Sequence, residues 1–365
     1  VERIGIDGSR LKHTKIGMDA VVTETAIPDH KVAVDLVLKS LLDAKVGVLK
    51  SLDELGAVGH RVVHGGEEFA SSVKITPAVM NALKRCAPLA PLHNPANIIG
   101  IEAITAALPS VPQVGVFDTA FHQTMPDYAF RYAVPEKYYK EDHVRRYGFH
   151  GTSHRFVSAR CAEILGRPIE ELKIITCHLG NGSSLAAVDH GKVVDTSMGF
   201  TPLPGVVMGT RCGDVDPSVV TFIAQKEGAE KTDKILNKES GLLGVSGVSA
   251  DLRDVEEGMN KGDVKCALAY KMLTYSVKKY IGAYAAAMGG VDAIVFTAGI
   301  GENSATTRQM VTEGLEFLGV KMDYSKNNFR GEERVISASD SKVKGIVIPT
   351  NEELVIARDT KKMAF

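Results

Sequence analysis

The stretch Ile174-Ile175-Thr176-Cys177-His178-Leu179-Gly180-Asn181-Gly182-Ser183-Ser184-Leu185-Ala186-Ala187-Val188-Asp189-His190-Gly191-Lys192-Val193-Val194-Asp195-Thr196 decides the fold class. Apolar runs at 174–179 and 185–188 flank a Gly-Asn-Gly-Ser turn, and Asp189-His190-Gly191 leads into a third run at 192–196. Short runs bounded by glycine turns predict an antiparallel meander of three strands. Outward from it, helices and strands alternate. Helices are expected at 29–42, at 95–108 before Pro109, and at 152–165 with Thr152 or Ser153 as cap and Gly166 past the end. Asp216-Pro217 opens another, with Asp as cap and Pro at the first helical position. Leu268, Met272, Val277, Ile281, Tyr284 and Met288 mark the longest helix, closed by Gly289-Gly290. Buried strands are expected at 57–63, 114–117, 292–297 and 344–348, and Asn351 caps a C-terminal helix. The alternation predicts a layered α/β architecture.

Composition narrows the class. The chain has 365 residues, 44% apolar and 24% charged, which predicts about two domains and excludes disorder as the main state. A net charge of −1 without a basic stripe argues against a nucleic-acid partner. No run of 18 apolar residues suggests a membrane span. Five cysteines at long spacings, with no C-x-x-C, read as free thiols of a reducing cytoplasm.

Chemistry-bearing residues gather at strand ends, where α/β proteins bind ligands. Arg61 lies in Gly59-His60-Arg61-Val62-Val63-His64-Gly65-Gly66; the alternative is an ordinary turn with a surface arginine. His60 and His64 share a strand face but stand too far apart to ligate one metal. Asp118 directly follows four apolar strand residues, a costly place for a carboxylate unless it is paired or faces a ligand. His150 stands among small residues in Tyr147-Gly148-Phe149-His150-Gly151-Thr152-Ser153-His154. The amides of the 180–183 turn form either an anion-binding nest or a plain hairpin turn. Arg211 occupies a Gly-bounded loop, Gly209-Thr210-Arg211-Cys212-Gly213-Asp214. Gly299-Ile300-Gly301-Glu302-Asn303 is too short for a dinucleotide fingerprint, and Glu352 follows the last strand, where a carboxylate can hold Mg²⁺ through water. The Walker, zinc-protease and serine-hydrolase motifs are absent. Loop arginines, histidines and glycine turns fit phosphoryl transfer, where catalysis is positioning and charge neutralisation.

These motifs, in order along the chain, closely resemble the acetate kinase family: 59–66, 90–94, 117–122, 147–154, 174–216, 296–303 and 348–353. The resemblance implies two ribonuclease-H-like domains of the actin-like superfamily with an interdomain nucleotide cleft, expected at 1–120 plus 352–365 and at 121–351. It implies reversible transfer of the ATP γ-phosphoryl group to acetate, giving ADP and acetyl phosphate, with Mg²⁺ or Mn²⁺, by a cytoplasmic homodimer. Arg61 and Arg211 would hold the acetate carboxylate and the transferring group. His150 would donate to its equatorial oxygens, Asp118 would be the essential aspartate, and Glu352 the metal-associated glutamate. Val63, Leu92, Phe149 and Pro202 would wall the acetate methyl. Asn181, Gly182 and His178 would line the phosphate site, and Asp251, Arg253, Gly299, Ile300, Gly301 and Asn303 the adenosine pocket. The family opens with a strand and Asn-x-Gly-Ser-Ser-Ser, whereas Val1–Asp7 matches family sequence about 30 residues further in, roughly one hairpin of sheet. The alternatives are a kinase of propionate or another short-chain acid, or an inactive nucleotide-binding relic if that loop is absent.

Overall fold

The computed structural model describes residues 1–91 and 93–365, and the chain divides into two units, Val1–Asp118 with Glu353–Phe365, and Thr119–Glu352. In the first unit, β1 (Arg10–His13) and β2 (Val21–Glu24) form an exposed antiparallel hairpin. β3 (Val58–Val62), β4 (Val73–Lys74) and β5 (Gln113–Phe117) form a sheet in the order β3-β5-β4, with β3 parallel and β4 antiparallel to β5. Every residue of β5 is buried, as a central strand covered on both faces requires. The helix His30–Leu41 starts where Asp29 accepts the Val32 amide at 2.9 Å, and the helix Asn94–Ala107 carries Pro95 in its first turn. The C-terminal helix Glu352–Ala364 lies on β3 at Gly59. A Cβ there would stand 2.3 Å from Thr360 Oγ1 and 2.6 Å from Ile356 Cγ2, so only glycine admits this approach.

In the second unit β6 (Lys173–Leu179), β7 (Ser183–Asp189) and β8 (Lys192–Thr196) make the meander, with the pair Leu179↔Ser183 leaving 180–182 as the turn. β9 (Ala293–Thr297) runs parallel to β6, β10 (Arg334–Val335) lies at the far edge, and β11 (Lys344–Val347) runs parallel to β9, in the order β10-β11-β9-β6-β7-β8. A meander continued by parallel strands is the ribonuclease-H-like arrangement expected. Strand alternation sorts the core into two layers. Ile175, Cys177, Leu185, Ala187, Ile294 and Phe296 pack against Val277, Ile281 and Tyr284 of the helix Val264–Ala287. Ile174, Ala186, Val188, Ala293 and Val295 pack against Val157, Cys161 and Ala162 of the helix Gly151–Leu165.

Two local expectations are corrected. Neither Thr152 nor Ser153 caps its helix: it begins at Gly151, the cap position is His150 at φ 55°, and Thr152 and Ser153 are buried in the first turn. The flanking sheet claims both side chains for the core, overriding their capping preference. Leu268 and Met272 do not join the core; they are 53% and 40% exposed, and Cys266, Ala269, Tyr270 and Leu273 fill the inner face instead. Residues 298–303 form a short helix, Ala298–Asn303, entered through Ala298 at φ 64°. The five cysteines are free.

Replacing Gly59 by Ala tests the helix-on-strand contact. Overpacking of this kind costs about 1–3 kcal/mol, so the urea midpoint should fall measurably. An unchanged midpoint would show that the C-terminal helix tolerates a wider separation from β3.

Candidate active site

Each unit carries its own set of residues. In the first, parallel pairing of β3 and β5 places Val62 opposite Phe117, and the Asp118 amide continues the ladder to Val62 O at 3.0 Å. Arg61 on β3 and Asp118 just beyond β5 are thereby neighbours. The guanidinium grips the carboxylate through two bonds, Nε to Oδ1 at 3.2 Å and Nη2 to Oδ2. The Asp118 side chain is 1% exposed and that of Arg61 46%, so a buried anion anchors the base of a cation that reaches solvent. The following loop is held by the helix Asn94–Ala107: Asn97 Oδ1 accepts the Val63 amide and Asn94 Oδ1 the His64 amide, both at 3.1 Å. Val63 is buried there. Asn94 lies in the 90–94 motif without an assigned role and Asn97 escaped the motif reading, because both satisfy loop amides rather than present chemistry outward. His60 bonds Gln113 Oε1 at 2.7 Å, and burial lowers its basicity, as for a structural histidine. Leu92 lies outside the described residues.

In the second unit the 180–182 turn meets Arg211 and His150. A Cβ on Gly182 would stand 3.3 Å from Arg211 Nη1 and 3.7 Å from His150 Cε1 and Nε2. Arg211 and the His150 ring therefore flank one glycine. Arg211 Nη1 donates to Pro202 O at 3.2 Å, and among the described residues no carboxylate pairs with it. Burial pushes its pKa down, the mark of a desolvated cation without a counter-ion. Asn181 sits over Gly209, whose amide donates to Asn181 O at 3.2 Å; a Cβ on Gly209 would meet Asn181 Oδ1 at 2.1 Å. Ser183 Oγ turns inward and donates to Gly180 O at 2.9 Å, which closes the turn.

His150 belongs to a cluster of four imidazoles. Its ring stacks on His178 at 4.1 Å and 19°, with His154 and His122 behind. His150 Nδ1 and His154 Nε2 both stand 2.8 Å from Ser184 Oγ, His154 Nδ1 stands 2.7 Å from Thr176 Oγ1, and His178 Nδ1 stands 2.8 Å from Ser153 Oγ. Burial pushes His122 down to about 4, and burial, then the neighbouring His122 and His178, pushes His154 well below the ordinary range. Gly148, at φ 73°, takes the chain past His122; a Cβ there would lie 2.4 Å from Thr196 Cγ2. Phe149 is buried and Pro202 half-buried. The sequence reading missed Ser184 and Thr176. The available signal was a hydroxyl on each of two strands expected to be buried, where a polar group must find a partner.

A cavity of about 770 Å³ opens in the second unit, lined by Asn181, Asp251, Arg253, Gly299, Ile300 and Asn303 together with Ser249, Glu256, Ser304 and Arg330. That volume suits a nucleoside. Gly301 does not line it: a Cβ there would press on the Phe296 carbonyl carbon at 3.3 Å, so this glycine serves packing between helix and strand. His178 and Gly182 also lie outside the lining. Glu302, unassigned from sequence, fastens the short helix: its Oε1 accepts the amides of Ala298 at 2.7 Å and Thr350 at 3.1 Å. Glu352 is the half-buried first residue of the C-terminal helix. Among the described residues no group of three His, Cys, Asp or Glu could hold a metal ion.

The acetokinase family model matches residues 1–358. An acetate kinase from Thermotoga maritima is 60% identical over 367 residues, spanning 99% of this chain and 91% of that one. One from Alkaliphilus metalliredigens is 58% identical over 364 residues, spanning 99% and 92%. Among solved structures, the acetate kinase of Porphyromonas gingivalis superposes with a TM-score of 0.95 at 53% identity, spanning 99% of this chain and 92% of that one. A propionate kinase from Francisella tularensis gives 0.92 at 40% identity, spanning 99% and 91%.

The buried imidazoles predict an acid-sensitive fold. Their folded pKa values lie below the ordinary 6.5, so the stability they confer is present above pH 6.5 and is lost as pH falls toward 4. His122 alone is worth about 3 kcal/mol over that window. The melting temperature should begin to fall near pH 6.5, above the carboxylate range; a melting temperature constant down to pH 5 contradicts burial of neutral rings.

Proposed function

The chain belongs to the acetokinase family, and from that premise we propose that it is an ATP-dependent acetate kinase, transferring the γ-phosphoryl group of ATP reversibly to acetate to give acetyl phosphate and ADP. The observation that carries the residue assignment is Arg211: a half-buried guanidinium without a carboxylate, beside the imidazole of His150 and a glycine turn. A desolvated cation in that state calls for an anion, and both substrates are anions.

Attack of a carboxylate oxygen on the γ-phosphorus requires two like charges to meet in line. Arg61 and Arg211 answer that need by gripping the carboxylate and the transferring group. Asp118 fixes the Arg61 fork, so its geometry is set before substrate arrives. His150 donates toward the equatorial oxygens, where charge spreads in the transition state. Val63, Phe149 and Pro202 supply the apolar wall for a methyl group. The cavity at Asn181, Asp251, Arg253, Gly299, Ile300 and Asn303 takes the nucleoside, with the 180–182 turn toward the phosphates.

A divalent cation, Mg²⁺ or Mn²⁺, accompanies the nucleotide. The lack of a three-ligand cluster among the described residues fits an ion that keeps its waters and rides on phosphates, with Glu352 holding it through water. Bound there, it would neutralise phosphate charge. We also assign a homodimer contact to the helix Val264–Ala287. Val264, Leu268, Met272 and Tyr275 are all exposed and recur at helical spacing, an apolar stripe that suits a second copy. Free thiols support a reducing cytoplasm, and among the described residues no helix is long and apolar enough to cross a membrane.

Purified protein should phosphorylate acetate with a higher kcat/KM than propionate; a preference for propionate, one methylene longer and worth about 1–3 kcal/mol in such a pocket, would reassign the substrate. Arg211→Ala and Arg61→Ala should each lower kcat/KM by about 100-fold or more with the fold intact, and Lys should rescue only part, since it lacks the bidentate fork. His150→Gln should retain more activity than His150→Ala, while both bind ATP almost normally. Wild-type rates in any of these Ala variants remove that residue from the site. Leu268→Glu should shift sedimentation from dimer to monomer; an unshifted dimer places the contact elsewhere.

A further inference from the structure

We infer that Tyr132 is a positioning residue for the acetate site: its hydroxyl tethers the 199–204 loop and, through that loop, sets Pro202 and Arg211. The inference rests on the acetate kinase reading above and extends it to a residue outside the site named there. Tyr132 follows the short helix Asp127–Phe130, and its Oη accepts the Phe200 amide at 3.0 Å. The hydroxyl crosses the chain at Gly199, where a Cβ would stand 2.2 Å from Tyr132 Oη and 2.9 Å from Pro204 Cγ. The tether therefore exists because Gly199 lacks a side chain.

The loop is held at few points. Gly199 O accepts the amides of Tyr147 and Gly148 at 3.0 and 3.3 Å, and the next amide, Phe200, reaches Tyr132. Within the loop, the Gly199 amide donates to Thr201 O at 3.1 Å and the Leu203 amide to Thr201 Oγ1 at 3.3 Å. Pro202 and Pro204 fix their own φ and restrict the backbone of Thr201 and Leu203 before them. A displacement at Phe200 is therefore passed on to Pro202 rather than absorbed between them. Pro202 O accepts from Arg211 Nη1 at 3.2 Å, so Tyr132 and Arg211 hold one stiff segment at its amide 200 and its carbonyl 202. The Tyr132 ring is itself backed by Arg146, which lies 5.8 Å over it and donates to Thr196 O, the end of β8, at 2.8 Å. Loss of the hydroxyl leaves the Phe200 amide to seek another partner, and the pocket wall and the Arg211 contact move with it.

The test is steady-state kinetics of the full chain with acetate and with propionate. Tyr132→Phe keeps the ring and removes the tether. It should raise KM for acetate about tenfold while KM for ATP stays within about twofold. It should also lower the acetate-over-propionate ratio of kcat/KM about threefold or more, because the wall that measures the methyl group is loosened. Gly199→Ala should show the same signature, since its Cβ displaces the hydroxyl. In the Tyr132→Phe background Gly199→Ala should cost less than it does alone, because the hydroxyl it would meet is gone. A wild-type KM for acetate in Tyr132→Phe, an equal rise in KM for ATP, or losses that multiply in full in the double variant would each overturn the tether. Should Gly199→Ala fail to fold, Tyr132→Phe decides alone. A wild-type chain that phosphorylates neither acid would sink the functional reading; the Tyr132–Gly199 contact is then read from melting temperatures, whose falls should likewise not add in the double variant.

Discussion

Gly182 carries a hydrogen where any other residue would carry a side chain, and the close approach of Arg211 and His150 to the 180–182 turn depends on that space. Arg211 Nη1 and the Nε2/Cε1 edge of His150 would lie 3.3 Å and 3.7 Å from a Cβ there. With only a hydrogen present, two donors can address one anion from either side of a turn that offers backbone amides of its own. The meander supplies this geometry at low conformational cost, because the turn between β6 and β7 is pinned by the Leu179↔Ser183 pair and by Ser183 Oγ bonding Gly180. Gly209 repeats the device one layer out, where Asn181 occupies the room its missing side chain leaves.

The two arginines show opposite solutions to the placement of a cation. Arg61 is half-exposed and gripped by a buried carboxylate, so its orientation is fixed and its charge partly answered. Arg211 is desolvated and rests on a carbonyl and the Met208 sulfur, with no carboxylate paired to it among the described residues. A cation in that setting attracts an anion strongly, because burial weakens the competition from water. The buried neutral histidines follow the same logic. His122 and His154 hold the Phe149 carbonyl and the Thr176 and Ser184 hydroxyls, and burial holds their pKa values down.

The architecture explains why these groups occupy few elements. β6 and β7 deliver Thr176, His178, Asn181 and Ser184 along one meander, and the helix Gly151–Leu165 lays Ser153 and His154 across it. Site and core are the same packing event: Val157 and Cys161, on the helix that carries His154, fill the apolar layer under the sheet.

The sequence alone determined the order of elements and the motif residues. Turn glycines flanked by apolar runs, Asp29 and Asp216 as caps, and the 174–196 meander are local signals, set within a few residues by backbone sterics and strand periodicity. Arg61, Asp118, His150 and Arg211 stood out as candidates because polar groups beside glycine turns and strand ends are not accounted for by the core. What the tertiary structure decided were pairings between residues distant in the chain. Apolar spacing marked Leu268 and Met272 as helix positions, but burial depends on what each part of the helix Val264–Ala287 packs against: Val277, Ile281 and Tyr284 meet the sheet, while Ala269, Tyr270 and Leu273 pack with Leu242, Leu252 and Val255. Thr152 and Ser153 look like caps in isolation and are core polar groups once the sheet covers them. The Ser184 bridge joins a strand to a helix thirty-four residues away, and the Arg61–Asp118 pair spans fifty-seven. A contact between remote residues exists only when the sheet sets register and distance, which is why only the assembled sheet reveals it.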